Sequence, residues 1–352
     1  MARALELARE GWGRVHPNPL VGAVVVRGGE VVGEGAHREF GGAHAEVEAL
    51  REAGPRARGA TLYVTLEPCA HHGKTPPCTD AIRAAGVARL VFAVEDPDPK
   101  AAGGARQLAE SGIEVVPGVE RERARFQNAL FLLPHETGRP FVALKYGLTL
   151  DARIAAAPGV ATRVTGPESE AEVHRLRSGF DAVLVGGRTA RIDDPRLTVR
   201  IGPPPRVPPV RVVADPEARL DPAGRLARSA AEAPVWVLAK PDAPQARVRG
   251  LESVGVTVVR AGADPNAGLD PVAMLDVLRD RGIRTVLCEG GGRLGAALLA
   301  AGRVDRLYLF IAPNLFGAGG VPAFPGEIPL RGQVRDVRRL GDDVLVIVER
   351  SE

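Results

Sequence analysis

The chain has 352 residues, more than a single hydrophobic core usually serves, so two domains are expected. At 45% hydrophobic and 25% charged, without a low-complexity run, the composition excludes a disordered chain. The net charge is only +3, and its 42 Arg and 4 Lys are scattered without a basic block, which speaks against a nucleic-acid partner.

The opening MARALELARE reads as an amphipathic helix with interspersed charges rather than a secretory signal, so a cytoplasmic protein is expected. No apolar run nears the ~20 residues of a membrane span, and no membrane partner is expected. Three cysteines argue against a disulfide framework and for metal or catalytic use.

In chain order, apolar periodicity predicts a helix over 2–10, strands at VGAVVV and EVVGEGA around the turn RGGE, and a helix at AHAEVEALREA. A strand at ATLYVTLE, a helix from Cys78 to Ala85, a strand at RLVFAV, a helix near Gly103 to Glu110, a strand at IEVV and a helix ending near Leu133 follow. Such alternation predicts an α/β architecture on a mainly parallel sheet. The stretch PHETGRP, with two prolines and a glycine, breaks the rhythm, giving a first domain over 1–133, a linker over 134–140 and a second domain over 141–352. In the second domain FVALKYGL, DAVLVGG, VRVVAD, VWVLAK, VTVVRA, TVLCEGGG, RLYLFIA and VLVIVER are candidate strands, and proline-rich GPPPRVPP is a loop.

Three metal-binding side chains stand at element boundaries. His44-Ala45-Glu46 starts a predicted helix, Pro68-Cys69 follows a predicted strand, and Cys78 opens the next helix. One imidazole and two thiolates are a set that Zn²⁺ accepts in catalytic sites, with the fourth tetrahedral position left for water. Helix N-termini favour the thiolate form. Glu46, two residues after His44, can reach that water without being a ligand, which makes it the expected general acid/base. H-x-E with P-C-x-x-C is the signature of zinc deaminases acting on nucleobases; here its second half is widened, with eight residues between Cys69 and Cys78. A lone His at a helix start is more often a cap, and a Cys pair alone is often core; their conjunction carries the zinc reading. A structural zinc site would want a fourth protein ligand, for which His71 and His72 are candidates, and would leave Glu46 without a chemical task.

Two rival functions remain on the residues alone. One is a nucleic-acid deaminase with an unrelated second domain, which the near-neutral charge and 4% aromatic content disfavour. The other is a non-catalytic, zinc-stabilised binding module. Further along, EGGGRLGAAL is a glycine-rich strand-to-helix turn whose free N–H groups could cradle a cofactor phosphate, although such turns often serve only the turn. IDDPRLTVR gathers two carboxylates and two arginines in nine residues, as a solvated loop also can.

Through HPNPLVGAVVV, GEGAHREFGGAHAEVEAL and ATLYVTLEPCAHHGKTPPC, and then LKYGLTLDARIA, EVHRLRSGFDAVLVGGRTARIDDPRLTVR and TVLCEGGGRLGAALL, nearly the whole chain resembles the bifunctional riboflavin-biosynthesis deaminase/reductase family. The resemblance implies an α/β fold in two parts: a cytidine-deaminase-like three-layer α/β/α domain and a dihydrofolate-reductase-like domain. It implies one zinc ion per chain on His44, Cys69 and Cys78, with Glu46 as proton shuttle and neither His71 nor His72 a ligand. The wide cysteine spacing fits that family. Asn18, His37 and Lys74 would contact the ribosyl phosphate or the pyrimidine.

In the second domain the resemblance implies substrate contacts at Lys145, Arg177, Leu197, Arg200 and Glu289, the arginines being suited to bidentate phosphate recognition. It places NADPH at Gly147, Thr189, Asp193, Gly291, Gly292, Arg293, Leu294, Gly295, Ala296 and Ala297. The chain departs from the family's Ser-Leu-Asp-Gly with Thr149-Leu150-Asp151-Ala152, and from Ser-x-Trp-Ile-Thr with Ala161-Thr162-Arg163-Val164-Thr165. Arg163 is expected to pair with an NADPH phosphate where Trp would stack. The implied reactions are zinc-dependent hydrolytic deamination of 2,5-diamino-6-ribosylamino-4(3H)-pyrimidinone 5′-phosphate, then NADPH-dependent reduction of its ribosyl to a ribityl chain. The implied partners are these small molecules and further copies of the chain.

Overall fold

Valine-rich runs closed by glycine turns build the sheets. The structure, a computed structural model, describes residues 1–71, 76–264, 268–326 and 330–351, and the chain divides into Met1–Gly138 and Arg139–Glu352. No helix among the described residues is long and apolar enough to cross a membrane.

The first unit runs α1 (Ala2–Ala8), β1 (Gly22–Arg27), β2 (Glu30–Ala36), α2 (Ala45–Ala53), β3 (Thr61–Leu66), α3 (Cys78–Ala85), β4 (Arg89–Val94), α4 (Gly104–Glu110), β5 (Glu114–Pro117) and α5 (Arg121–Thr137). The sheet order is β2-β1-β3-β4-β5. The pairs β3–β4 and β4–β5 are parallel, whereas β1 is antiparallel to both β2 and β3. The sheet is therefore mixed rather than mainly parallel. Its first hairpin closes on Gly28 and Gly29, both at positive φ (59° and 86°), the geometry of a tight turn matched to strand twist.

Small residues set how closely α2 lies on this sheet. A Cβ at Gly33 or Gly35 of β2 would fall 2.2 Å from the carbonyl oxygen of Ala49 or Ala45, so glycine there lets the helix rest directly on the strand. Packed alanines Ala45, Ala49 and Ala53 complete the contact with Val25, Val32, Ile82 and Leu90. Leu5, Ala124 and Leu132 from α1 and α5 cover the other face against Leu66 and Val94, which makes three layers. Residues 134–137 of the expected linker form the last turn of α5, with Pro134 inside it. There His135 Nδ1 donates to the Phe131 carbonyl at 2.8 Å and Thr137 Oγ1 to that of Leu133 at 2.7 Å, supporting carbonyls at a helix end disturbed by proline.

The second unit contains β6 (Phe141–Thr149), β7 (Arg153–Ala155), α6 (Pro167–Ser178), β8 (Ala182–Gly186), α7 (Gly187–Asp193), β9 (Val210–Ala214), α8 (Arg225–Arg228), β10 (Val235–Ala239), α9 (Gln245–Glu252) and β11 (Thr257–Arg260). It continues with β12 (Ala263–Asp264), β13 (Gly268–Leu269), α10 (Pro271–Asp280), β14 (Thr285–Gly290), α11 (Gly292–Ala300), β15 (Arg306–Ala312), β16 (Val321–Pro322), β17 (Gly332–Leu340) and β18 (Asp343–Arg350). Its large sheet has the order β11-β10-β9-β8-β14-β6-β15-β18-β17. It is parallel from β11 to β15, and β18 and β17 close it as an antiparallel ribbon. One apolar core, including Leu144, Leu184, Leu278 and Val286, covers one face; Val183, Val213, Val237 and Leu251 fill the other. The carboxyl ends of β6, β8, β9 and β14 open together onto a cavity, the usual place for a ligand in such a sheet.

Candidate functional sites

In the first unit three element ends deliver three donor atoms to one point. His44, in extended conformation, caps the start of α2; Cys69 lies three residues past the end of β3; Cys78 is the first residue of α3. The Nδ1 atom of His44 is 3.1 Å from Cys78 Sγ and 3.5 Å from Cys69 Sγ, and all three donor atoms lie within 4.8 Å of one another. Metal bonds of about 2.0–2.3 Å at tetrahedral angles separate ligand atoms by roughly 3.3–3.8 Å, so this set lies close to the spacing zinc requires. A hydrogen bond from the Cys78 thiol, against the cost of burial and helped by His44 and the Cys78 amide, draws the Cys69 thiol down to about 4. The Cys78 thiol is pushed up by that same shared proton and by burial. The amide of Cys78 points at Cys69 Sγ from 3.4 Å, as a thiolate at a helix start requires.

Glu46 lies in the first turn of α2 with 4% of its surface exposed, and burial raises its carboxyl above the usual range. It lines a cavity of about 290 Å³ together with His44, Cys69, Asn18 and His37. His37 Nδ1 donates to the Ala43 carbonyl at 3.0 Å, which leaves Nε2 to accept from Asn18 Nδ2 at 3.1 Å. Burial lowers the pKa of this ring, against the pull of the Ala43 carbonyl. Asn18 and His37 thus meet at the pocket as one hydrogen-bonded pair. Lys74 and His72 lie outside the described residues, and His71 lines the cavity without joining the three-residue cluster.

Two carboxylates here escaped the sequence reading. Glu67 accepts from the amides of Gly103, Ala105 and Asp96 at 3.1, 3.0 and 3.3 Å, tying the exit of β3 to the start of α4. Asp96 faces the cavity and burial pushes it up to about 6. The EPC and EDPDP stretches contain both, but only the fold brings them to the cavity.

In the second unit the cavity measures about 920 Å³. Arg177 of α6 meets Glu289 of β14 in a buried bidentate pair, Nε–Oε1 at 2.5 Å and Nη2–Oε2 at 2.8 Å, and its Nη1 donates to the Thr198 carbonyl at 3.0 Å. Burial pushes Glu289 up, but the Arg177 guanidinium overcomes it and holds the carboxyl below its usual range. Lys145 of β6 projects beside them with Nζ 5.6 Å from the centre of the Phe310 ring, and burial lowers its ammonium pKa. Arg200 lines the same wall. Leu197 does not: its side chain is 3% exposed and packs in the core with Val213, while its backbone takes a left-handed φ of 55°. Any ligand contact at Leu197 therefore falls to its backbone.

The glycine-rich turn forms the other wall. Gly291, at φ 83°, caps α11 without a side-chain hydrogen bond, so the first N–H groups of that helix face the cavity uncapped. A Cβ at Gly290 or Gly291 would come within 3.2 or 3.1 Å of the Thr189 side chain, and one at Gly292 within 3.1 Å of the Pro322 and Ala323 carbonyls. This bare backbone at a helix start suits a dinucleotide's phosphates. Thr189, Asp193, Gly147, Arg293, Leu294 and Ala297 line the cavity, whereas Gly295 and Ala296 face away from its lining. Arg163 sits at the rim and is paired with Glu170 at 2.8 Å. The sequence reading also missed His174, which lines the cavity with its ring enclosed.

Fold and sites together define a class: a zinc deaminase joined in one chain to a reductase that takes a nucleotide cofactor. Comparison with known proteins agrees over the full length. Residues 1–94 match the cytidine and deoxycytidylate deaminase zinc-binding region, and residues 140–346 the RibD C-terminal domain. The chain is 40% identical to the riboflavin biosynthesis protein RibD of Escherichia coli (strain K12), covering 98% of this chain and 96% of that one. It is also 40% identical to the RibD of Aquifex aeolicus (strain VF5), with 99% and 97% covered. A solved diaminohydroxyphosphoribosylaminopyrimidine deaminase/5-amino-6-(5-phosphoribosylamino)uracil reductase from Thermotoga maritima superposes with a TM-score of 0.83 at 36% identity, covering 100% of this chain and 97% of that one. The chain belongs to the RibD family, and is a bifunctional deaminase and reductase of riboflavin biosynthesis with a zinc-binding domain and an NADPH-dependent domain.

Proposed function

We propose that the chain removes the 2-amino group of 2,5-diamino-6-ribosylamino-4(3H)-pyrimidinone 5′-phosphate as ammonia and then reduces the ribosyl group of the product to ribityl. His44, Cys69 and Cys78 hold zinc, which when bound supplies a nucleophilic water at neutral pH. Glu46, buried beside them with a raised pKa, would hold a proton at its carboxyl and pass it to the departing amine. Asn18, held through one amide N–H by His37, orients the pyrimidine edge with its remaining N–H and its Oδ1, the His37 ring lying beside it. Lys74 contacts the ribosyl phosphate or the pyrimidine on the strength of the family resemblance.

In the reductase site Glu289, held by Arg177, and the desolvated Lys145 ammonium surround the sugar, while Arg200 meets its phosphate. NADPH, when bound, supplies the hydride that C1′ of the sugar accepts. Gly147, Thr189, Asp193, Gly291, Gly292, Arg293, Leu294 and Ala297 hold it, with Gly295 and Ala296 setting the position of their helix, Leu197 contributes by its backbone, and Arg163 stands at the rim for a cofactor phosphate. The domain limits follow the same reading: deaminase over 1–133, connection over 134–140, reductase over 141–352. A homo-oligomer in the cytoplasm that binds no nucleic acid completes it, supported by the resemblance and by the small net charge of +3.

The observation that carries the proposal is the donor cluster His44–Cys69–Cys78 with buried Glu46 in one pocket. The test supplies the diaminopyrimidine phosphate with and without NADPH, and follows ammonia and cofactor oxidation separately. Glu46→Ala is expected to keep its zinc and lose ammonia release. Full ammonia release by that variant would sink the mechanism, and ammonia without any NADPH oxidation would sink the second step.

A further inference from the structure

His174 lies on α6 one turn before Arg177, so the two side chains leave the helix on the same face. Only 1% of its surface is exposed, yet it lines the reductase cavity. The backbone N–H of Arg200 donates to its Nδ1 at 3.0 Å. A backbone amide can only donate, so Nδ1 carries a lone pair and the ring proton resides on Nε2. No group among the described residues accepts that Nε2–H, and the atom is not sealed from solvent. The residue lines the cavity, where that N–H can find an acceptor.

The neighbours say what it meets. Arg177 has Nε, Nη1 and Nη2 engaged with Glu289 and the Thr198 carbonyl, so it acts as scaffold at this wall. Arg200 is different: among the described residues its guanidinium makes one hydrogen bond, to Thr198 Oγ1 at 3.3 Å, and it faces the cavity. Two residues of α6 therefore hold the 198–200 arch, Arg177 by the Thr198 carbonyl and His174 by the Arg200 amide. Burial first, then Arg177 and Arg200, lower the His174 pKa to about 4 against the opposing pull of Glu170 and Glu289, so the ring stays a neutral donor. A neutral N–H beside a partly unengaged guanidinium calls for an acceptor that is anionic and has no proton to offer, as a phosphate monoester is.

Resting on the reductase reading above, we propose that His174 is a substrate-binding residue, its Nδ1 fixing the backbone of Arg200 and its Nε2–H donating to the 5′-phosphate of the pyrimidine ribosyl phosphate. The other phosphate monoester in reach of this cavity is the 2′-phosphate of NADPH, and the experiment separates the two.

The full-length chain is compared with His174→Leu and His174→Gln, using the deaminated pyrimidine ribosyl phosphate as substrate. Loss of a hydrogen bond to a charged group should raise KM for that substrate about 10-fold or more in His174→Leu, with kcat changing less. NADPH Kd, read by fluorescence titration without substrate, should stay unchanged and certifies the fold of the variant. Glutamine offers an acceptor and a donor in one side chain, so His174→Gln should stay within about threefold of wild type. An unchanged KM in His174→Leu, a raised NADPH Kd in its place, or equal impairment in both variants overturns the assignment. Absence of NADPH oxidation in the wild-type chain overturns the reductase reading and this assignment with it.

Discussion

The Arg177 guanidinium and the Glu289 carboxylate face each other through two parallel hydrogen bonds, 2.5 and 2.8 Å long, across 112 residues of sequence. Both side chains are nearly enclosed, at 11% and 6% exposure. Removing one partner of such a pair leaves the other charge buried, at a cost of up to about 3–5 kcal/mol, which for Glu289 the neighbouring Lys145 ammonium reduces. Arg177→Ala should therefore lower unfolding stability by about 2–4 kcal/mol in urea titrations, and Arg177→Ala combined with Glu289→Gln should cost clearly less than the sum of the two single changes. Additive costs would mean that the two residues act separately.

Asp96 gives a pH-dependent prediction. Burial, partly opposed by the amide of Asp98, moves its carboxyl from the ordinary 3.8 to about 6 in the folded chain. The fold thus binds this proton more tightly than the unfolded chain does. Its contribution is complete below pH 3.8 and disappears as pH rises through about 6, after which a half-buried charge remains. Asp96→Asn keeps an oxygen for the Asp98 amide, now 2.9 Å from Asp96 Oδ1. It should stabilise the chain by roughly 1–2 kcal/mol at pH 8, after discount for partial exposure, and by progressively less toward pH 4. Thermal melts at the two pH values check this; an equal gain at both would remove buried charge as the cause.

The zinc site was legible in the sequence because each member sits at an element boundary that periodicity also marks: His44 before α2, Cys69 after β3, Cys78 at the start of α3. Strand direction was not legible from alternation. The reversal of β1 against β2 is written only in Gly28-Gly29, two left-handed residues that close a hairpin too short for a crossover. The strand β17 stayed hidden for another reason. Its sequence GQVRDVRRL alternates charge along an exposed sheet edge, without an apolar face for periodicity to find. Long-range partners are harder still. Nothing local to His174 tells that the amide of Arg200, 26 residues on, will fix its tautomer. The resemblance implied a contact at Leu197, but its side chain belongs to the core, and a left-handed backbone is invisible in the letter Leu.

Ala152 stands where the resembled family has glycine, and its φ is 55°. The turn around it is well held: Thr149 Oγ1 donates to Asp151 Oδ1 at 2.5 Å and accepts from the Arg153 amide at 2.9 Å, and the Asp151 carboxylate accepts from the Gly317 amide at 2.7 Å. Thr149 thereby supplies a hydroxyl at the position where the family has Ser. The left-handed backbone costs an L-residue about 1–2 kcal/mol, and glycine's greater freedom when unfolded returns about 0.5–1 of that. Ala152→Gly should raise stability by a net ~0.5–1 kcal/mol, seen as a higher urea midpoint at unchanged slope. A lower midpoint would show that the side chain packs favourably enough to outweigh the strain.

Tyr146 and Gly295 locate the cofactor wall. The Tyr146 hydroxyl is buried without a hydrogen-bond partner among the described residues, and a Cβ on Gly295 would lie 1.9 Å from it and 3.0 Å from Cζ. Glycine is what lets α11 settle on β6, and the uncapped start of α11 at Gly291 and Gly292 sits one turn away. Gly295→Ala must push the helix off the strand or turn the ring, so NADPH Kd should rise about 10-fold or more, on the scale of a displaced phosphate contact. Ammonia release in the first unit should not change. Tyr146→Phe removes an unsatisfied buried hydroxyl and should leave stability equal or up to about 1 kcal/mol higher. In the double variant the hydroxyl clash is gone but the ring carbon remains close, so NADPH affinity should recover in part. If Tyr146→Phe rescues nothing, the loss in Gly295→Ala comes from the helix backbone itself and not from this contact.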